Sequence, residues 1–151
     1  MKALATNLCN NILVRGKEEN ISITPMKLQK LMYFVCRDYV QATGESPIAE
    51  PFEVWKYGPV LPSVYGEFRT FGSKPITEFA KDAMGCARKV SESKNPILSQ
   101  VIDIVWAKYK RYTGSALSAM THERGSGWYS AYMSGREKIT LEDMENDKTG
   151  K

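Results

Sequence analysis

The sequence predicts a mainly α, compact single-domain fold of five to seven helices, with room for one short β element in the middle. Three observations lead there. Two long segments carry apolar residues at helical spacing behind good N-caps, at Thr24-Pro25 and at Asn95-Pro96. Several shorter segments start and stop at Pro, Gly, Ser or Thr. The length of 151 residues suits one core, and 42% hydrophobic against 25% charged residues is a globular composition.

Taken in order, Ala3 to Arg15 reads as a helix with Leu4, Leu8 and Ile12 on one face, followed by a loop from Gly16 to Asn20. The strongest helix runs from Pro25 toward Gly44, with Leu28, Leu31, Met32, Val35 and Tyr39 as its stripe. Ser46 to Pro51 is a loop, and Phe52 to Trp55 an extended piece entering a Gly58-Pro59 corner. Pro62 or Ser63 opens a third helix to Phe71, ended by Gly72, with Val64, Tyr65, Phe68 and Phe71 as apolar positions. Ile76 to Val90 is ambiguous, with a short helix around Phe79 to Met84. Asn95-Pro96 opens the second long helix, stopped by Gly114. Ser115 caps a short helix from Ala116 to Met120, and Trp128 to Met133 makes a further helical turn. Thr140 and Asp143 have capping-box spacing for a short last helix. The domain then spans 1–145, and 146–151 is a charged, disordered tail.

Bulk properties exclude several classes. No apolar run is long enough to span a bilayer, and Asn7, Asn10 and Asn11 spoil the N-terminus as a secretory signal, so the cytoplasm is the default location and no membrane partner is expected. Cys9, Cys36 and Cys86 are widely separated and read as buried free thiols rather than as a disulfide framework or a zinc site. The net charge is +4. The last fifteen residues hold five acids and three bases, which leaves the preceding body 18 Lys and Arg against 12 Asp and Glu, or +6. That balance is mildly basic and weaker than a typical nucleic-acid face.

Chemistry is sparse. His122 is the single histidine, which removes multi-histidine metal sites and H-E-x-x-H. No phosphate-cradling glycine motif occurs, and no pair of carboxylates is spaced for acid/base work; Asp38 and Asp103 read as solvated or ion-paired. Neither a cofactor nor a metal is expected. His122 as a general base lacks an evident nucleophile, so a structural role for it is the simpler reading. Aromatics such as Tyr33, Phe34, Trp55, Tyr57, Tyr65 and Trp128 could stack on bases, but only Lys30, Arg37 and Lys56 lie near them.

Three blocks together resemble the Panacea domain. Leu28-Gln29-Lys30-Leu31-Met32-Tyr33 is similar to its L-x-K-L-x-Y motif. Trp55-Lys56-Tyr57-Gly58-Pro59-Val60 is similar to W-x-x-G-P-V, with Tyr65 shortly after. Leu117, Thr121-His122 and Trp128 are similar to its late L…T-H…W signature. The resemblance implies a helical, non-enzymatic antitoxin of the SocA-like, phage-associated type. It implies a cognate toxin neutralised by direct binding, and a protease of the AAA+ unfoldase kind to which a toxin can be delivered. It marks Lys30, Tyr33, Trp55, Tyr57, Gly58, Pro59, Tyr65, Thr121, His122 and Trp128 as the shared partner-binding region. The family often has proline before the tryptophan of the T-H block; Gly127 stands there, so a more flexible loop is expected. The alternative reading is a nucleic-acid-binding regulator carried by a phage or mobile element. Oligomeric state is left open.

Overall fold

Helix α2 (Pro25–Thr43) is the axis of the computed structural model, which describes residues 2–151. Thr24 caps it by accepting from the Lys27 N–H, Pro25 fills the first position, and Gly44 ends it in a left-handed conformation. Among the described residues it is joined by α1 (Ala5–Glu19), α3 (Pro62–Phe68), α4 (Pro96–Tyr109), α5 (Gly114–Thr121), α6 (Gly127–Met133) and α7 (Leu141–Glu145). Strands β1 (Glu53–Trp55) and β2 (Gly58–Val60) form an antiparallel hairpin. The mainly α class and the small central β element are therefore as the sequence predicts.

Helix α2 packs against α1, α3, α4, α5, α7 and β2. It consequently buries more than its apolar stripe: Gln29, Lys30, Tyr33 and Arg37 are buried alongside Leu28, Leu31, Met32 and Val35. Phe34 stacks on Tyr109 of α4 at 4.5 Å between ring centroids, and Tyr33 meets Phe52 edge-on at 5.4 Å.

Several boundaries differ from the sequence reading. Gly16 does not end α1, which continues to Glu19. Asn20 takes the left-handed turn (φ 58°) and returns its N–H toward the Lys17 carbonyl, so the stop lies one turn later. Gly114 does not cap α4, which ends at Tyr109; it is the first residue of α5, where Thr113 accepts from the Ala116 N–H three residues on. The Gly58-Pro59 corner is instead the start of β2: the two-residue turn is Lys56-Tyr57, and Trp55 pairs with Gly58. Tyr65 points outward rather than into the core. Cys9 and Cys36 are buried as expected, but Cys86 is exposed on the loop before α4.

No helix forms at Phe79–Met84, and the cause is two asparagines of α1. Asn10 donates to the Ala80 carbonyl and accepts the Ala80 N–H, both at 2.9 Å. Asn11 treats Val90 in the same two-way fashion, at 2.9 and 2.8 Å. These amides take the backbone groups that a helix would need. Between the two clamps, the Asp82 carboxylate closes a turn by accepting from the Met84 and Cys86 N–H groups.

The C-terminal segment is not a disordered tail. Asp147 is 2% exposed and takes the Tyr33 hydroxyl at 2.5 Å, the Gly127 N–H at 2.8 Å and the Thr149 N–H at 2.8 Å, with the Arg37 guanidinium at 3.4 Å. Arg37 also donates to the Thr149 carbonyl, and Gln41 donates to the carbonyls of Met144 and Asp147. Arg37 also pairs with Asp38 on its own helix at 2.8 Å, and Asp147 gives this buried cation a second, fully buried carboxylate, so charge in the tail helps seat it. Replacing Asp147 with alanine strips that partner from a guanidinium that is 1% exposed. We expect Asp147→Ala to lower unfolding free energy by about 3 kcal/mol or more, measured by urea denaturation.

Candidate functional site

The three sequence blocks converge on the β1–β2 hairpin. Behind it stand α2, α5 and α6, and each sends donors to the hairpin's carbonyl oxygens. The Trp128 indole donates to the Trp55 carbonyl at 2.9 Å. The His122 Nε2 lies 2.7 Å from the Lys56 carbonyl, and the Ser118 hydroxyl donates to the Tyr57 carbonyl at 2.6 Å. From α2, the Lys30 ammonium donates to the Pro59 carbonyl at 3.1 Å. Gln29 brackets Leu61, accepting its N–H at 2.8 Å and donating to its carbonyl at 3.1 Å. A two-stranded hairpin is marginal alone in water; here its backbone is fixed from one side by side chains of three helices.

Gly58 explains why the motif needs glycine. Its φ is +117°, and a Cβ there would lie 2.6 Å from Thr121 Oγ1 and 2.9 Å from Lys30 Cε. The strand therefore lies directly on those two side chains, an approach and a backbone angle open only to glycine. Thr121 is fully buried and donates to the Ser118 carbonyl at 2.7 Å. His122 Nδ1 faces that same carbonyl at 2.7 Å. Both imidazole nitrogens thus face acceptors; the neutral ring can donate to one of them and the imidazolium to both. The ring packs on Trp128, whose indole stacks on Tyr132 with centroids 5.0 Å apart.

Loss of this bracing is measurable. Trp128→Phe keeps an aromatic ring of smaller size and removes the indole N–H that donates to the Trp55 carbonyl. We expect a cost of about 1 kcal/mol in stability and faster amide hydrogen exchange in residues 53–60, with exchange in α4 unchanged.

The residues marked by the sequence blocks divide by position. Lys30, Tyr33, Gly58, Pro59, Thr121 and Trp128 are buried, and Trp55 and His122 are half-buried. Tyr57 and Tyr65 are 59% and 44% exposed. Tyr33 stands apart from the hairpin and holds Asp147 instead. The expected flexibility at Gly127 is not found: its N–H donates to Asp147, a bond that proline could not make, and Tyr33 Oη occupies the space a Cβ would need. Sequence reading missed Gln29, Ser118 and Asp147. Their partners lie far along the chain: Leu61 for Gln29, the Tyr57 carbonyl for Ser118, and Tyr33 of α2 for Asp147, so no local spacing points to them. Among the described residues no group of three or more His, Cys, Asp or Glu is placed to hold a metal, and no helix is long and apolar enough to cross a membrane.

Beside the hairpin lies a cleft of about 430 Å³ between α2, β2 and α3. Met26, Val60, Val64 and Phe68 give it apolar walls, and Trp55 and Tyr65, edge-on at 4.9 Å, also line it. Lys30, 1% exposed, borders it with no carboxylate partner. Burial lowers the Lys30 pKa from the usual 10.5 to about 7. Lys30 and Arg37, both counted above as candidates for a nucleic-acid face, are therefore closed to phosphates.

Fold and site define a helical domain that braces a short hairpin, with the bracing residues supplied by three separated blocks. Compared with known proteins, residues 28–129 match the family described as Antitoxin SocA-like, Panacea domain. The chain is 32% identical over 127 residues to Antitoxin SocA of Caulobacter vibrioides (strain NA1000 / CB15N), an alignment covering 82% of this chain and 68% of that protein. No solved structure matches. The chain belongs to the Antitoxin SocA-like, Panacea domain family.

The lowered Lys30 pKa has a directional consequence. Below about pH 7 the amine is charged in both folded and unfolded chains, and the burial penalty is complete. Between about 7 and 10.5 the unfolded chain holds a proton that the folded chain lacks, so stability rises with pH, by at most about 1.4 kcal/mol per unit. Urea denaturation at pH 7, 8 and 9 should show wild type gaining stability relative to Lys30→Met as pH rises. A pH-independent difference between them would contradict the assignment.

Proposed function

We propose that this protein is an antitoxin that neutralises its cognate toxin by direct binding through the outer side of the β1–β2 hairpin. One observation carries the reading: the hairpin's polar backbone is tied down from behind, while Trp55, Tyr57 and Tyr65 remain accessible in front. Aromatic side chains on a rigid support are the usual anchors of protein interfaces, because they contribute large contact area at little cost in ordering. The family relationship supports a toxin as the partner. Delivery of the bound toxin to an ATP-dependent unfoldase–protease is the extension that the family resemblance favours, and the toxin's lifetime in cells separates it from simple occlusion.

Co-expression with the product of the adjacent gene tests this reading. Growth arrest by that product alone, relieved by this protein, is the expected result; a harmless neighbour, or arrest that persists, would overturn it. Tyr57→Ala should weaken binding at least tenfold with thermal stability unchanged, because the ring is more than half exposed. Met84→Ser, in the loop before α4, should leave binding intact. A toxin half-life shortened by this protein supports delivery to a protease, whereas an unchanged half-life supports occlusion.

A further inference from the structure

The cleft beside the hairpin has a charge pattern that its apolar walls do not explain. The charged side chains lining it are Lys30 and Lys56, and among the described residues no carboxylate lines it. Glu53, the acid of the hairpin itself, is engaged by the Trp55 indole at 2.9 Å. Lys56 is exposed at the turn, with Nζ 5.5 Å from the centre of the Tyr57 ring, and it takes part in none of the ion pairs among the described residues. Deeper in, the Lys30 ammonium has the Pro59 carbonyl as its acceptor and no counter-ion. A volume of about 430 Å³ accommodates a bulky side chain with part of its neighbours.

We propose that this cleft receives an apolar anchor side chain carried on an acidic segment of the partner protein. The anchor fills the space between Val60, Val64 and Phe68. Carboxylates next to it pair with Lys56 at the rim. The inference rests on the reading of the protein as a toxin-binding antitoxin and specifies what that toxin presents. Charge complementarity selects the occupant: a basic segment would meet Lys56 at the rim and no acid in the lining. A nucleic acid fits less well. The walls are largely aliphatic, Trp55 and Tyr65 are turned edge-on toward each other, and Lys30 is closed to phosphates.

The test uses the full chain and three capped pentapeptides. The first has phenylalanine between two pairs of glutamates, the second has alanine in place of the phenylalanine, and the third has lysines in place of the glutamates. Binding is followed by titration with 15N-labelled protein, reading the Trp55 indole and the amides of residues 55–68. The expected result is that the first peptide binds at least tenfold more tightly than either other, with shifts confined to the cleft. Lys56→Glu should abolish that preference, and Tyr65→Ala should weaken the first peptide at least fivefold. Both positions are exposed, and a thermal melt checks that the variants are folded. Equal binding of the glutamate and lysine peptides, no binding of any, shifts elsewhere, or a preference for a thymidine decanucleotide would overturn the proposal. Neutralisation assays separate this inference from the broader one. Full neutralisation by both Lys56→Glu and Tyr65→Ala would remove the cleft while leaving the antitoxin reading in place. Failure of the wild type to neutralise would remove the antitoxin reading itself.

Discussion

A helix enclosed on every side cannot leave its polar side chains unmatched, and α2 carries six of them into contact with the rest of the chain. Lys27 donates to the Lys110 carbonyl, Gln29 brackets Leu61, and Lys30 reaches Pro59. Tyr33 and Arg37 share Asp147, and Gln41 holds the backbone that leads into that segment. An unpaired donor in such a place costs about as much as several ordinary contacts contribute. The end of α4, the hairpin and the C-terminal segment are consequently positioned by the same helix. Apolar packing sets which elements are near α2, and these polar contacts set how each one lies on it.

The same logic operates at the periphery with amide side chains. Asn10, Asn11 and Gln29 each bond one backbone residue in both directions, and Asn10 also donates to the Arg88 carbonyl. An amide offers one acceptor and two donors in a plane, which imitates the edge of a strand. The long connection between α3 and α4, which has only a 3-10 turn at Arg69–Phe71 and a bridge between Lys81 and Ala87, is held in this way by Asn10 and Asn11. Arg15 adds a charged contact by pairing with Glu92 and Asp103, each at 2.7 Å.

Local signals in the sequence were legible where capping is local. The starts of α2, α4 and α7 are written in Thr24-Pro25, Asn95-Pro96 and Thr140…Asp143, whose partners lie within three residues. The hairpin was not legible as a hairpin. Its turn, Lys56-Tyr57, lacks the Asn-Gly or Gly residues that normally mark one, and its stability comes from His122, Ser118 and Trp128, far along the chain. The Phe79–Met84 helix failed for a similar reason, since the competing hydrogen bonds come from α1. The charges of the tail carry no local sign of Arg37, whose burial is not visible in helical spacing alone. The motif residues were found by their pattern, but the division between those that brace the hairpin and those that face outward required the structure.

The bond between Tyr33 and Asp147 spans 114 positions in the chain. Synthesis proceeds from the N-terminus, so α2 emerges long before the carboxylate that completes its surroundings. During that interval the nascent protein has its central helix made, with Arg37 paired only to its neighbour Asp38 and Tyr33 without its acceptor. Contacts between such distant positions form late and slowly. The brace behind the hairpin shares this schedule, because His122 and Trp128 also arrive late. Each newly made molecule therefore passes through a period in which its hairpin is translated but not yet braced. The supply of competent protein in a cell then depends on how fast chains are finished as well as on how many are begun.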